Sequence, residues 1–229
     1  MAKRICFISR PSENPIFDEI EVEFKYYTGF SVSQKQKSIN EMHESISHMD
    51  KNLRVLEVST KSTNPIGIAL SAFNLKFLNE NTGKEYPLEN IFQSSKVFEH
   101  GGPYLDLLNV HPKDAKRDER LKTSGNLVCF NYENTVWELE PKTIFYDWIY
   151  IRSLYRNKSL SKKILDFDAF TDIEFNQMKS INCQARSAAI FVSLSKNGEL
   201  EKVLNDKEEF KKIYSKKNND NFQISLFDL

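Results

Sequence analysis

Leu88-Glu89-Asn90-Ile91-Phe92-Gln93-Ser94-Ser95-Lys96 carries an acid, an amide and an amine at intervals of four and three residues. On a helix of about 3.6 residues per turn, Glu89, Gln93 and Lys96 share one face. Phe92 and Val97 flank this polar stripe, while Ile91, Ser95 and Phe98 point to the other side. At about 1.5 Å per residue the two charged ends lie roughly 10 Å apart along the axis, too far to pair but a suitable span to bracket a sugar-sized ligand. A carboxylate and an amine among apolar neighbours invite shifted pKa values, because desolvation disfavours the charged forms. A desolvated lysine can attack an anomeric carbon and form a Schiff base, and a nearby glutamate can move protons. The same spacing also suits an ordinary amphipathic helix with a solvated polar face, and spacing alone does not choose. Pro87 fits the first turn of this helix, and Gly101-Gly102-Pro103 is expected to end it.

Outward from this segment, the first sixty residues read as strand, strand, helix, strand. Ile5 to Ser9 is a short apolar run, and Glu19 to Phe24 alternates as a half-buried strand does. Ser31 or Ser33 caps a helix in which Ile39, Met42, Ile46 and Met49 form one apolar stripe. Val55 to Ser59 reads as another strand and Asn64-Pro65-Ile66-Gly67 as a turn. Downstream, helices are expected over Pro112–Leu121, Lys142–Tyr155 and Asn157–Ile164. The aromatics of the second, Phe145, Tyr146, Trp148, Tyr150 and Tyr155, read as core. Phe167 to Asn182 is loop-rich, and Ala188 to Leu194 is a strand or a buried helix end. The fold class is α+β, predominantly helical with a small β element near the N-terminus. One domain spans 1–200, a polar helix or linker 201–222, and an apolar C-terminal peptide 223–229.

Composition narrows the function classes. Lys+Arg 32 against Asp+Glu 32 gives a formal net charge of +0, so there is no long-range steering toward nucleic acid, and any such contact needs a local patch. Lys113, Lys116, Arg117 and Arg120 recur at helical spacing and offer a basic stripe for phosphates. Asp114, Asp118 and Glu119 on the same segment equally suit a solvated surface helix. No apolar run is long enough to span a membrane, and the N-terminus reads as a strand, not a signal peptide. Cys6, Cys129 and Cys183 are distant and odd in number, which fits a reducing cytoplasm without a disulfide framework. His43, His48, His100 and His111 lack metal-ligand spacing, and no phosphate-binding glycine loop occurs. No metal or redox cofactor is expected.

From Leu70 to Arg186 the chain resembles the NADAR (YbiA-like) family. Leu70-Ser71-Ala72-Phe73-Asn74 resembles the family's L-S-x-F turn, and Glu89, Gln93 and Lys96 its E-x-x-x-Q-x-x-K pattern. Pro112, Ala115 and Arg120 match P-x-x-A-x-x-x-x-R, and Asn157 and Leu160 match Q-N-x-x-L. Asp172 sits where the family has D-x-x-W-G, and Asn182 falls in its closing N-rich turn. Phe175-Asn176 replaces Trp-Gly, Asn90 replaces a histidine, and the usual lysine before the Q-N segment is missing. These departures point away from the riboflavin-pathway members. The chain as a whole, including Lys179 to Arg186, is more similar to the NADAR antitoxins paired with DarT-type toxins, which attach ADP-ribose to guanine in DNA.

That resemblance implies an N-glycosidase that removes ADP-ribose from modified DNA. It implies Lys96 as nucleophile and Glu89 as acid and base. Gln93, Asn74, Phe73, Arg120, Asp172 and Asn182 would hold the ligand, with fixing a loop as the other reading of Asp172. Lys113, Lys116 and Arg117 would meet phosphates. The implied partners are ADP-ribosylated DNA and a DarT-type toxin, linked genetically or also by contact. Two alternatives remain at this point: a non-catalytic antitoxin that binds the toxin, and a glycosidase for a free nucleotide or riboflavin precursor. Finally, Gln223-Ile224-Ser225-Leu226-Phe227 resembles the peptide by which bacterial proteins dock on the sliding clamp, with Gln223, Leu226 and Phe227 as anchors. The other reading of this end is that it folds back on its own domain.

Overall fold

A computed structural model describes residues 1–79, 82–176 and 180–215. Its first sheet is built by β1 (Ala2–Ser9) and β2 (Phe17–Phe24), paired antiparallel from Ala2↔Phe24 to Ser9↔Phe17. β9 (Ala169–Thr171) pairs antiparallel with β1 and parallel with β3 (Val55–Glu57), giving the order β2-β1-β9-β3. The expected loop from Phe167 to Asn182 therefore holds a central strand. Its three residues are all buried, so they show no alternation to read.

Helix α1 (Val32–Met49) covers one sheet face. Ser31 caps it by accepting the Gln34 N–H, as one of the two expected serines. Ile39, Met42 and Ile46 pack on Cys6, Ile8, Val22 and Phe24, whereas Met49 at the helix end stays exposed.

The other sheet face carries Phe7, Leu56 and Phe170 into the main core. There it meets α8 (Gln184–Lys196), which packs in turn on α6 (Ile144–Arg156). Both helices are buried over most of their length; of the aromatics expected in the core, Phe145, Tyr146, Trp148 and Tyr150 are buried there, and Tyr155 packs half-buried at its edge. Ala188 to Leu194 is thus the middle of a helix. Apart from Ser193, whose hydroxyl donates to the Ile16 carbonyl, its residues are apolar on every side because protein surrounds it.

The second half of the core closes over a short antiparallel sheet. It is formed by β6 (Lys96–Phe98), β7 (Leu127–Tyr132) and β8 (Thr135–Trp137), in that order. A hairpin of β4 (Lys76–Leu78) and β5 (Glu85–Pro87) leads into α3 (Leu88–Ser94). The fold class is α+β, as expected. Strands are distributed along the chain, however, not gathered near the N-terminus.

α2 (Pro65–Ala69) replaces the expected turn, and α7 (Lys158–Ile164) follows α6. The segment read as a polar helix or linker forms α9 (Leu200–Asn205) and α10 (Lys207–Ser215). Val203, Leu204 and Phe210 bury themselves in the main core, so these helices close the domain. The clamp-like peptide with Gln223, Leu226 and Phe227 lies outside the described residues. Among the described residues, no helix is long and apolar enough to cross a membrane.

Candidate active site

α3 is seven residues long and every one is buried, including Glu89, Asn90, Gln93 and Ser94. Buried polar groups need partners. The Asn90 amide donates to the carbonyls of Leu107 (2.7 Å) and Val110 (2.9 Å), fixing the loop that follows β6. Gln93 Nε2 donates to Glu89 Oε1 at 2.8 Å. Its own Oε1 is buried and has no partner among the described residues. The Glu89 N–H donates to the Ala72 carbonyl at 3.0 Å, which seats the helix on the Leu70–Asn74 turn.

Lys96 is not on this helix, contrary to the sequence expectation. The Ser94 and Ser95 hydroxyls both fold back onto the Ile91 carbonyl, at 3.1 and 2.7 Å, and end the helical ladder. The Ser95 carbonyl then accepts the Asn131 N–H (2.7 Å), and Lys96 opens β6 opposite Phe130. The axial separation of Glu89 and Lys96 inferred from a continuous helix therefore does not apply. Gly101 and Gly102 form the turn after β6, not a helix end.

The Lys96 ammonium lies 5.0 Å from the centroid of the Phe92 ring. Burial pulls its pKa down to about 8, against a smaller upward pull from Glu89, and Lys116 adds to the lowering. The Lys116 ammonium is 3.7 Å from Glu89 Oε1 and 5.4 Å from the Phe73 ring centroid. Glu89, Gln93, Lys96, Phe92, Phe73 and Lys116 thus form one cluster with two amines, a carboxylate and two aromatic faces. This cluster can host nucleophilic attack with proton transfer.

Gly102 supports it from behind. Its φ is +87°, and a Cβ there would meet the Lys96 carbonyl oxygen at 2.2 Å. Gly102→Ala is expected to cost at least about 1 kcal/mol in thermal unfolding. It should also shift the Lys96 backbone and reduce any activity that depends on that amine.

The remaining expected ligand residues are placed differently. Asp118 leaves helical geometry (ψ 128°) and accepts the Arg120 N–H, splitting the anticipated helix into α4 (Pro112–Arg117) and α5 (Arg120–Thr123). Lys113, Lys116 and Arg117 sit on α4, but Arg120 does not continue their stripe. Its guanidinium is held by Asp118 (2.9 Å) and Asp106 (2.6 Å) and lies 4.5 Å from the Tyr104 ring centroid, which makes it a brace for this loop. Asn74 turns its amide back to the Ile68 carbonyl (2.9 Å) and closes its own turn. The Asn182 carbonyl accepts the Ser180 hydroxyl (3.3 Å), just ahead of α8.

Asp172 is buried behind this cluster in a network that sequence spacing did not reveal. Its Oδ1 accepts the Glu174 N–H (3.0 Å), and it also accepts from the Gln184 side chain. The Gln184 Oε1 in turn accepts the Ala72 N–H at 2.8 Å. Burial, with the nearby Glu57 carboxylate, raises the Asp172 pKa to about 8. Glu57 is itself buried and accepts from Ser59 (2.6 Å), Thr171 (2.7 Å) and the Ile173 N–H (2.9 Å). Burial raises the pKa of the Tyr146 phenol, and both Glu89 and Asp172 add to the rise. Tyr146 therefore lies within electrostatic reach of both carboxylates.

Among the described residues, no group of acidic, histidine and cysteine side chains could hold a metal ion. No curated protein matches the chain. A family model of DarT1-associated NADAR antitoxins matches residues 2–223, which includes the N-terminal sheet and the α9–α10 pair as well as the cluster around Lys96. The chain belongs to this family of DarT1-associated NADAR antitoxins.

Proposed function

We propose that this antitoxin is an ADP-ribosyl glycohydrolase that cleaves ADP-ribose from guanine in DNA. The observation that carries this reading is the half-buried amine of Lys96, seated over Phe92 and lowered to about 8, in one cluster with the Glu89 carboxylate. The neutral Lys96 amine attacks the anomeric carbon of the ribose, and the bond to the guanine nitrogen breaks toward the base. Glu89 takes the proton from the new secondary ammonium and delivers it to the departing guanine. The resulting ribosyl-lysine opens to an imine, water adds at the same carbon, and ADP-ribose leaves with Lys96 restored.

Gln93 orients Glu89 and presents its unpartnered carbonyl to the ligand. Phe73 offers a flat face at the entrance. Lys116, with Lys113 and Arg117 on the same short helix, attracts the diphosphate or the DNA backbone. Asp172 acts at one remove, through Gln184 and the Ala72 backbone. The clamp-like peptide at Gln223, Leu226 and Phe227 would tether the enzyme to replicating DNA and raise its local concentration.

The test uses the protein alone, without toxin, on an oligonucleotide that carries ADP-ribosylated guanine. Release of ADP-ribose with restoration of unmodified DNA is expected. No release under any condition would leave a purely toxin-binding antitoxin, and faster turnover of a small N-glycoside than of modified DNA would redirect the substrate. Glu89→Gln should lower the turnover number by about 10²–10⁴-fold with little change in KM, read from initial rates.

A further inference from the structure

We infer that the corner between β2 and α1 is a docking surface for single-stranded DNA. Lys25, Tyr26 and Tyr27 follow β2 directly, and Gly29, with φ +124°, turns the chain so that Phe30 stands fully exposed at 101%. The Arg4 guanidinium lies 5.8 Å and the Lys35 ammonium 5.3 Å from the Tyr26 ring centroid. Lys25 lies 5.0 Å and Lys37 5.8 Å from that of Tyr27. Four cations thus sit over two half-buried tyrosine rings, and the exposed Phe30 follows three residues after Tyr27.

Three carboxylates of this corner, Glu21, Glu41 and Glu174, are engaged. Glu21 pairs with Lys3 (2.6 Å), with Glu23 acting on the same lysine. Glu41 accepts from the Tyr27 hydroxyl (3.0 Å), and Glu174 pairs with Lys35 (3.2 Å). Arg4, Lys25 and Lys37 form no ion pair among the described residues. Cations that meet phosphates beside rings that stack on bases are the chemistry of single-strand recognition. A fully exposed phenylalanine has no packing role and suits stacking on an unpaired base.

The surface connects to the buried support of the proposed site, not to the cluster itself. Glu174, the partner of Lys35, donates its N–H to Asp172. The proposal rests on the DNA-directed reading only for its purpose, because binding is measured apart from catalysis.

The experiment is fluorescence anisotropy of a labelled, unmodified single-stranded oligonucleotide titrated with the full chain across a salt series. Phe30→Ala is expected to weaken binding about tenfold, the loss of one stacked base. The Lys25→Gln/Lys37→Gln double variant should flatten the slope of log affinity against log salt by about 1.4, two single-strand phosphate contacts. Both variants should melt like the parent and should release ADP-ribose from a mononucleoside-sized substrate at the parental rate. Absence of oligonucleotide binding by the parent at low salt overturns the surface, and so does binding that these variants leave intact. Loss of binding to anionic lipid vesicles or to the toxin, with oligonucleotide affinity unchanged, likewise overturns it by assigning the corner to another partner. If the parent releases no ADP-ribose from any substrate yet shows the expected binding pattern, the catalytic reading fails and the surface stands.

Discussion

Lys96→Ala is expected to abolish release of ADP-ribose, and Lys96→Arg to do the same although it keeps the charge. The alanine variant lacks the nucleophile. The arginine variant keeps a cation that stays protonated at every working pH and cannot attack. A fall of at least about 10³-fold in turnover is the minimum for removing a covalent route. Borohydride added during turnover should fix the imine as a stable adduct on Lys96, identified by peptide mass. A Lys96→Ala variant with full activity would falsify the mechanism.

The pH dependence follows from the same amine. Only its neutral form attacks, so the rate should climb with pH and level off above about 8, to which burial lowers it from its ordinary 10.5. The stability effect has a defined sign. Between about pH 8 and 10.5 the unfolded chain holds a proton on Lys96 that the folded chain has lost, so folding stability rises with pH across that window. A Lys96→Met variant should lose this rise, seen as a flatter dependence of the denaturation midpoint on pH.

Much of the frame is legible locally. The stripe of Ile39, Met42 and Ile46 follows from helical period alone, and the alternation of β2 from strand period. The pairing of Glu89 with Gln93 also follows from spacing, because i and i+4 meet on any helix. Lys96 leaves the helical face for a definite reason. Two serines compete for the Ile91 carbonyl, and the Asn131 N–H, far along the chain, bonds the Ser95 carbonyl so that the chain enters a sheet at Lys96. Asp118 does the same to the basic stripe by capping Arg120. The buried support of the site is the least legible part. Glu57 looks like any strand carboxylate until Thr171 and Ile173, distant in sequence, close over it. Gln184 likewise acquires its role only when α8 reaches Ala72. Long-range partners decide these residues, and no local period encodes them.

Arg186→Met is expected to be among the most destabilising single changes outside the apolar core. Asp147 on α6 is wholly buried and accepts from four side chains: the Arg186 guanidinium, the Ser187 hydroxyl (2.5 Å), the Tyr214 hydroxyl (2.6 Å) and the Thr143 hydroxyl (3.0 Å). This cluster joins α6 and α8 to α10, so the last described helix is held by Tyr214 as well as by Phe210. Methionine in place of Arg186 keeps most of the volume but leaves a carboxylate in a dry site with hydroxyl donors alone. Removing one partner of a buried pair costs about 3–5 kcal/mol, which lowers the melting temperature of a chain this size by on the order of ten degrees. Tyr214→Phe removes one hydrogen bond and should cost less, about 1–3 kcal/mol. The decisive comparison adds Asp147→Asn to Arg186→Met. With both charges gone, no buried ion is left unpaired, so the double variant should recover part of the loss. Chemical denaturation of the four proteins measures this coupling. Additive losses would show that Arg186 stabilises the fold by packing and not by neutralising Asp147.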